Sequence, residues 1–293
     1  MTEGKKLWVA ITAHNPMKRI ETLLETIKQY MWYELDVSVF LYINYEAQND
    51  VPLLSQLFKP FLEKIKVEIV VASPEYEGWW LTWAHKPDLT AACIREEYDY
   101  YVYQEDDMLL EWNKFKYWLA WKPRLAELGL EPGFIRYEKF GGKKIPFDNY
   151  HKYSLTGKTP KVWSDRGFTV AKQLVIDHEI KFFASLANPY YAAMILDAKD
   201  AIKYVKSDSM DPVKSFELVS YRNWPLADRS SMGLAFENPP EGYEHRRCVP
   251  VVQKEGVLVP DYRCLIQHKD TKYSIELNDR FGNLITCDTM FTI

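Results

Sequence analysis

The chain has 293 residues, 47% of them hydrophobic and 27% charged, with a formal net charge of −4. That length and balance suit a globular α/β protein that buries a large core and keeps surface for a cleft. The acidic balance argues against a dedicated nucleic-acid binder, whose footprint is basic, and no run is apolar and long enough for stable membrane insertion. The opening MTEGKKLWVAITAHN lacks the apolar core and cleavage site of a signal peptide, so a cytoplasmic protein is expected. Cys93, Cys248, Cys264 and Cys287 are widely spaced with no C-x-x-C, which fits reduced thiols better than disulfides or structural zinc.

In chain order, LWVAITAHN reads as a buried strand with a polar tip, Thr12, Ala13, His14 and Asn15. Asn15 followed by Pro16 predicts a capped helix, with Ile20, Leu23, Leu24, Ile27 and Met31 on one apolar face. Residues 37–44 read as a second strand ending at Asn44, residues 50–65 as a helix interrupted at Pro60, and residues 66–73 as a third strand. Asp88 is placed as the cap of a helix reaching about Glu97. YDYYVYQEDD is a fourth strand that stops in carboxylates. This alternation predicts right-handed crossovers and a central, mostly parallel sheet. Ligands of such sheets bind beyond the carboxyl ends of the strands, so the tips TAHN, INYE and QEDD are expected on one edge. Further on, residues 113–128 look helical and residues 129–180 read as strands and loops. Residues 190–197 form a buried strand followed by a helix over 198–206, and residues 216–237 are helical in their second half. With no linker visible, the expectation is a single domain, with a nucleotide-binding half of about 1–112 and an acceptor-facing half of about 113–293.

The sharpest chemical signal is Glu105-Asp106-Asp107. Three carboxylates at a strand end repel one another, and a hard divalent cation such as Mn2+ or Mg2+ relieves that repulsion. In an extended segment Glu105 and Asp107 project to the same side, where a metal can bridge them to a diphosphate. An isolated acidic triplet is more often a solvated turn; the preceding buried strand reverses that preference. Asp228 has the chemistry of a general base, or it is a helix cap or the partner of Arg229. His268, after an apolar run, is either a hydrogen-bonded structural residue or a metal ligand. His14 is either a ligand contact or a turn residue. His85 and Lys86 precede a helix, where a cation and amide donors suit a diphosphate, against a surface reading. Trp79, Trp80 and Trp83 form a sugar platform if exposed and core if buried. Arg246 and Arg247 read as solvated surface. Glu217 and Glu237 are reserve bases. A P-loop, a G-x-G-x-x-G turn and a nucleophile elbow are all missing.

Taken in order, these features resemble the GT-A glycosyltransferases over roughly residues 7–275. TAHNP with its strand resembles the nucleotide-binding first β-α unit, and YYVYQEDDM is similar to the D-x-D strand end. PLADRSSMGL is similar to the segment that supplies the catalytic base, with the Asp kept and the Glu missing, and His268 in CLIQHKDTKYS matches a C-terminal metal-binding His. The resemblance implies metal ligation by Asp107, Glu105 and His268, and a ribose contact from Asp106 or Glu105. It also implies donor contacts at Thr12, Ala13, His14, Asn15, Asn44, His85 and Lys86, with Asp228 as base. The expected reaction moves a sugar, with inversion, from a nucleotide-sugar donor (UDP favoured) to a glycan or glycoconjugate acceptor. The alternatives are a sugar-phosphate nucleotidyltransferase and a non-catalytic carbohydrate-binding protein.

Overall fold

The computed structural model describes residues 4–149, 168–176, 179–186, 188–219, 224–255, 257–282 and 284–291. In chain order the early elements are β1 (Lys6–Ala13), α1 (Ile20–Lys28), β2 (Asp36–Ile43), α2 (Val51–Phe58), β3 (Lys66–Val71), α3 (Lys86–Ile94), β4 (Tyr100–Glu105), β5 (Met108–Leu109) and α4 (Trp112–Ala126). They are followed by β6 (Glu131–Pro132), β7 (Ile135–Phe140), β8 (Lys143–Ile145), β9 (Phe168–Ile176), β10 (Glu179–Leu186), β11 (Ala193–Asp197) and α5 (Ala198–Tyr204). The last are α6 (Lys214–Leu218), α7 (Leu226–Ser230), β12 (Arg247–Lys254), β13 (Val257–Pro260), β14 (Leu265–His268) and α8 (Lys272–Phe281). The chain divides into two compact units, residues 1–112 with 192–237, and residues 113–191 with 238–293. Residues 192–237, expected in the acceptor-facing half, therefore fold with the first unit. Part of the expected loop-rich segment, 150–167, lies outside the described residues.

The first unit is α/β with a central, mostly parallel sheet, as its sequence pattern requires. The strand order is β11-β4-β1-β2-β3. β1 through β4 run parallel, and β11 closes the β4 side antiparallel. β1 is buried at every position but Lys6, as a strand covered on both faces must be. One face of the sheet packs Trp8, Tyr42, Tyr101, Tyr103, Met194 and Leu196 against Leu81, Leu89 and Tyr204 from the turn and helices beyond. The strand register aligns Thr12 with both Tyr42 and Glu105, and Ile43 with Val71. The three polar tips therefore leave the sheet from one edge, as the alternation predicts.

Several local expectations are corrected. Asn15 adopts a left-handed conformation (φ 52°, ψ 61°) and makes no side-chain cap bond. Pro16–Arg19 is a 3-10 turn, and α1 starts only at Ile20. Proline at the turn's first position fixes φ without supplying an N–H, and the left-handed Asn15 breaks the path from β1 into it. Leu23 and Ile27 of the predicted apolar face are buried, joined by Thr26. α3 begins at Lys86, two residues before Asp88, whose Oδ2 accepts instead from the Tyr42 hydroxyl at 2.7 Å. Between 216 and 237 the described α-helical residues are the end of α6 and the five residues of α7.

In the second unit β13-β12-β10-β9 form an antiparallel sheet, with β6 added parallel to β12. β7 pairs parallel with β14 and antiparallel with β8. Leu125, Leu130, Phe183 and Cys248 form a core there. Arg247, read from the sequence as surface, is buried. It holds Glu131 at 3.2 Å, donates to the Pro189 carbonyl at 2.9 Å and lies 4.3 Å over the Tyr191 ring. All four cysteines are buried free thiols. Among the described residues no helix is long and apolar enough to cross a membrane.

Candidate active site

The site is built where β1, β2 and β4 end. Thr12, the last polar residue of β1, is buried with its Oγ1 3.0 Å from the Tyr103 hydroxyl, which ties the tips of β1 and β4 together. Ala13 is buried, His14 is exposed, and His14 Nδ1 lies 3.0 Å from Asn15 Nδ2. Asn44 is almost wholly buried and braces the turn. Its Oδ1 accepts from the Asn15 backbone N–H at 2.8 Å, and its Nδ2 donates to Glu46 at 2.9 Å. Glu46 and Glu77 influence one another's titration. The Asn44 amide pulls the Glu46 carboxyl below its usual range, while the neighbouring Glu46 pushes the Glu77 carboxyl up.

At the end of β4 the triplet is split by burial. Glu105 is partly exposed, with its backbone N–H donating to the Ala192 carbonyl at 3.1 Å. Asp106 and Asp107 are both buried. Their cation is Arg19: Nη2 donates to Asp106 Oδ1 at 2.8 Å and Nη1 to Asp107 Oδ2 at 2.7 Å. The Asp106 carbonyl accepts from Thr26 Oγ1 at 2.9 Å, so α1 fixes the turn. Beneath it, the Tyr30 hydroxyl donates to Gln104 Oε1 at 2.5 Å, and Gln104 Nε2 donates to the Met108 carbonyl at 3.0 Å. Burial, followed by the charge of Asp107, pushes the Asp106 carboxyl up to about 7 against the opposing pull of Arg19. Asp106 Oδ2 has no hydrogen-bond partner among the described residues. Arg19, Thr26 and Tyr30 escaped the sequence reading. Arg19 stands 87 and 88 positions from its two partners, and no local spacing announces such a contact.

The other candidates are placed as follows. His85 is fully buried and stacks on Tyr103, with centroids 4.2 Å apart. Lys86 is also buried. Its Nζ donates to the Tyr204 hydroxyl and to the Ser230 carbonyl (2.8 Å), and lies over the Trp83 and Tyr204 rings at 5.0 and 4.4 Å. Burial pushes both groups well below their ordinary values, with Lys86 adding to the effect on His85. This corrects both readings of the pair: neither residue reaches the surface to meet a diphosphate, and Lys86 is not a solvated lysine.

The tryptophan cluster divides. Trp79 and Trp80 are 76% and 44% exposed, whereas Trp83 is 3% exposed and donates Nε1–H to the Leu226 carbonyl at 2.9 Å. That bond pins the 3-10 turn Gly78–Trp83 to the start of α7. Asp228 is partly exposed in the first turn of α7, where Pro225, not Asp228, holds the cap position. Arg229 turns away to the Trp224 carbonyl (2.6 Å), the Pro212 carbonyl (3.1 Å) and Ser215 Oγ (3.2 Å). The cap reading of Asp228 is thus corrected, while its charge acts on Arg229 against the downward pull of burial. Of the reserve bases, Glu217 is exposed on α6, and Glu237 is engaged by Ser209 through its N–H (3.1 Å) and Oγ (2.8 Å).

His268 belongs to the second unit. Its Nδ1 is 2.9 Å from Oε1 of the fully buried Glu138, whose Oε2 accepts from the Ser274 N–H at 2.6 Å. A carboxylate oxygen accepts, so Nδ1 carries the proton and the lone pair of a neutral ring lies on Nε2.

No family model and no curated protein sequence matches the chain. Among solved structures it is similar in part to S. aureus TarS 1–349, with a TM-score of 0.30 and 10% identity over 46% of this chain and 35% of that one. A longer S. aureus TarS structure gives 0.29 and 13% over 46% and 21%. The mannosyltransferase PcManGT from Pyrobaculum calidifontis, in complex with GDP-Man and Mn2+, gives 0.30 and 15% identity over 41% of this chain and 33% of that one. The chain therefore spans between 21% and 35% of the length of these structures.

Proposed function

We propose that this protein is a glycosyltransferase that moves a sugar from a nucleotide diphosphate donor, UDP-linked by preference, to a hydroxyl of a glycan or glycoconjugate, with inversion. The observation that carries the reading is the buried pair Asp106 and Asp107 at the carboxyl edge of a parallel sheet, on the same edge as the turns at 12–15 and 44. Open α/β sheets take their ligands at that edge. Two adjacent buried carboxylates, one with an oxygen lacking a partner among the described residues, favour cationic charge.

This donor set fits Mn2+ or Mg2+, which use one or two carboxylates and draw the rest of their coordination from phosphate oxygens and water. Among the described residues no group of three or more His, Cys, Asp or Glu could by itself hold a metal ion. Asp107 is the first ligand in this reading, with Glu105 beside it at the end of β4. The ion, when bound, would supply positive charge to the departing diphosphate.

The chain's own residues do the rest. Thr12, Ala13, His14, Asn15 and Asn44 line the donor side, and Asp106 or Glu105 takes the ribose. Asp228 accepts the proton of the attacking hydroxyl, and the bond from that oxygen to the anomeric carbon forms as the carbon–diphosphate bond breaks. A thermal-shift screen of UDP- and GDP-sugars with and without Mn2+ identifies the donor; product analysis then tests the reaction. Release of a nucleoside diphosphate supports transfer. Pyrophosphate would mark a nucleotidyltransferase, and glycan binding without turnover a carbohydrate-binding protein.

A further inference from the structure

The Arg19 guanidinium does not grip one carboxylate with both arms, the usual bidentate arrangement. It spreads across two successive residues, taking one oxygen of each, at 2.8 Å from Asp106 and 2.7 Å from Asp107. Its side chain is 39% exposed, whereas those of Asp106 and Asp107 are 4% and 6% exposed. The cation thus lies on the solvent side of two buried anions, and a metal approaching them from solvent meets the guanidinium first. Asp106 Oδ2 has no hydrogen-bond partner among the described residues, and a divalent ion accepted there would repel the arginine.

Arg19 is also well placed to turn. It is the last residue of the 3-10 turn Pro16–Arg19, and its backbone (φ −132°, ψ 35°) lies outside the helix that starts at Ile20. Released from the carboxylates, its fork would remain near the edge of the sheet at which folds of this kind take their ligands.

We propose that Arg19 is a counter-cation exchanged for the metal: a divalent ion displaces it from Asp106 and Asp107, and the freed guanidinium then holds the nucleotide's diphosphate. The second half of this proposal rests on the glycosyltransferase reading; the first half does not.

The test uses the full chain as wild type, Arg19→Gln and Arg19→Lys, each checked for cooperative thermal unfolding. Free Mn2+ is counted by electron paramagnetic resonance, and UDP and GDP binding is measured by calorimetry at saturating Mn2+. Arg19→Gln should bind Mn2+ alone roughly tenfold more tightly than wild type, because its competitor is gone. It should bind the metal–nucleotide complex roughly tenfold more weakly, because a charge-assisted contact is lost. Arg19→Lys should fall between in both.

Unchanged or weaker Mn2+ binding in Arg19→Gln overturns the exchange. A gain in Mn2+ affinity without nucleotide loss overturns the diphosphate role. If wild type and variant bind the metal–nucleotide complex equally, the assignment of Arg19 fails and the glycosyltransferase reading stands. If neither binds UDP or GDP, the diphosphate role and that reading fall together, while the Mn2+ titration still decides the exchange. Should Arg19→Gln fail to fold, the Nε–H resonance of Arg19 in wild type decides both halves. It must shift on adding Mg2+, and again on adding UDP or GDP; a static resonance refutes exchange.

Discussion

Replacing Asp228 with Asn separates a proton acceptor from a structural carboxylate, because the structure bounds what each role is worth. Asp228 is the third residue of a five-residue helix capped by Pro225, and Arg229 spends its guanidinium on the Trp224, Pro212 and Ser215 oxygens. What a partly exposed charge in a first helical turn loses on neutralisation, its attraction to Arg229 included, is about 0.3–1 kcal/mol. Asn preserves the shape, so the midpoint of urea unfolding should hardly move. Turnover is different: loss of general base catalysis costs roughly 10²–10⁴ in rate, or about 3–5 kcal/mol of barrier. Donor affinity should stay near wild type, since a base acting on the acceptor owes nothing to the leaving group. The assay is a single-turnover transfer followed by NMR of the anomeric proton, with calorimetry of donor binding alongside. Near-normal turnover in the variant, or a product that retains the donor's configuration, would show that Asp228 is not the base.

Three further outcomes follow from buried groups. Lys86 is held well below its usual lysine range by burial, so the unfolded chain keeps this proton up to about pH 10.5 after the folded protein has released it. Wild-type stability relative to Lys86→Met should therefore rise with pH over that interval; parallel pH profiles of the two in urea would contradict this. Tyr30→Phe removes the donor to Gln104 Oε1 in a buried network and should cost about 1–3 kcal/mol by chemical denaturation; a cost under about 0.5 kcal/mol would mean the amide finds another partner. Glu138→Gln keeps an oxygen for the Ser274 N–H but no longer fixes the His268 tautomer. If His268 ligates metal, Mn2+ affinity should fall roughly 10–100-fold, and nitrogen shifts of the ring should report a changed tautomer; unchanged values for both would remove Glu138 from this role.

Much of the sheet is legible in the sequence because β1, β2 and β4 are apolar runs cut short by polar residues and alternate with helical spacing, as buried parallel strands do. The convergence of Asn15, Asn44 and Asp106 on one edge follows from that topology. What stays hidden is long-range or depends on depth. Asp88 has the composition of a cap, yet the backbone turns helical two residues earlier. Lys86 and Arg247 read as solvated cations because charge alone does not reveal that aromatic rings and carbonyls enclose them. The Trp cluster illustrates the same limit: three tryptophans within five residues receive opposite fates, since Trp83 faces α7 and Trp79 faces water. Arg19 is the costliest omission, because the partner of the most conspicuous motif is an unremarkable arginine in PMKR.

The antiparallel strand β11 has a consequence for how the chain acquires this fold. β4 ends at Glu105, and its outer neighbour begins only at Ala193, after the greater part of the second unit has been made. During synthesis the apolar run YYVYQ therefore presents an open row of backbone donors and acceptors, the template on which stray strands pair. Closing it requires a contact distant in sequence, which is slow. Emerging chains truncated before β11 should be the sticky species, and a chaperone that shelters β4 until Ala193–Asp197 arrives would raise the yield of native protein.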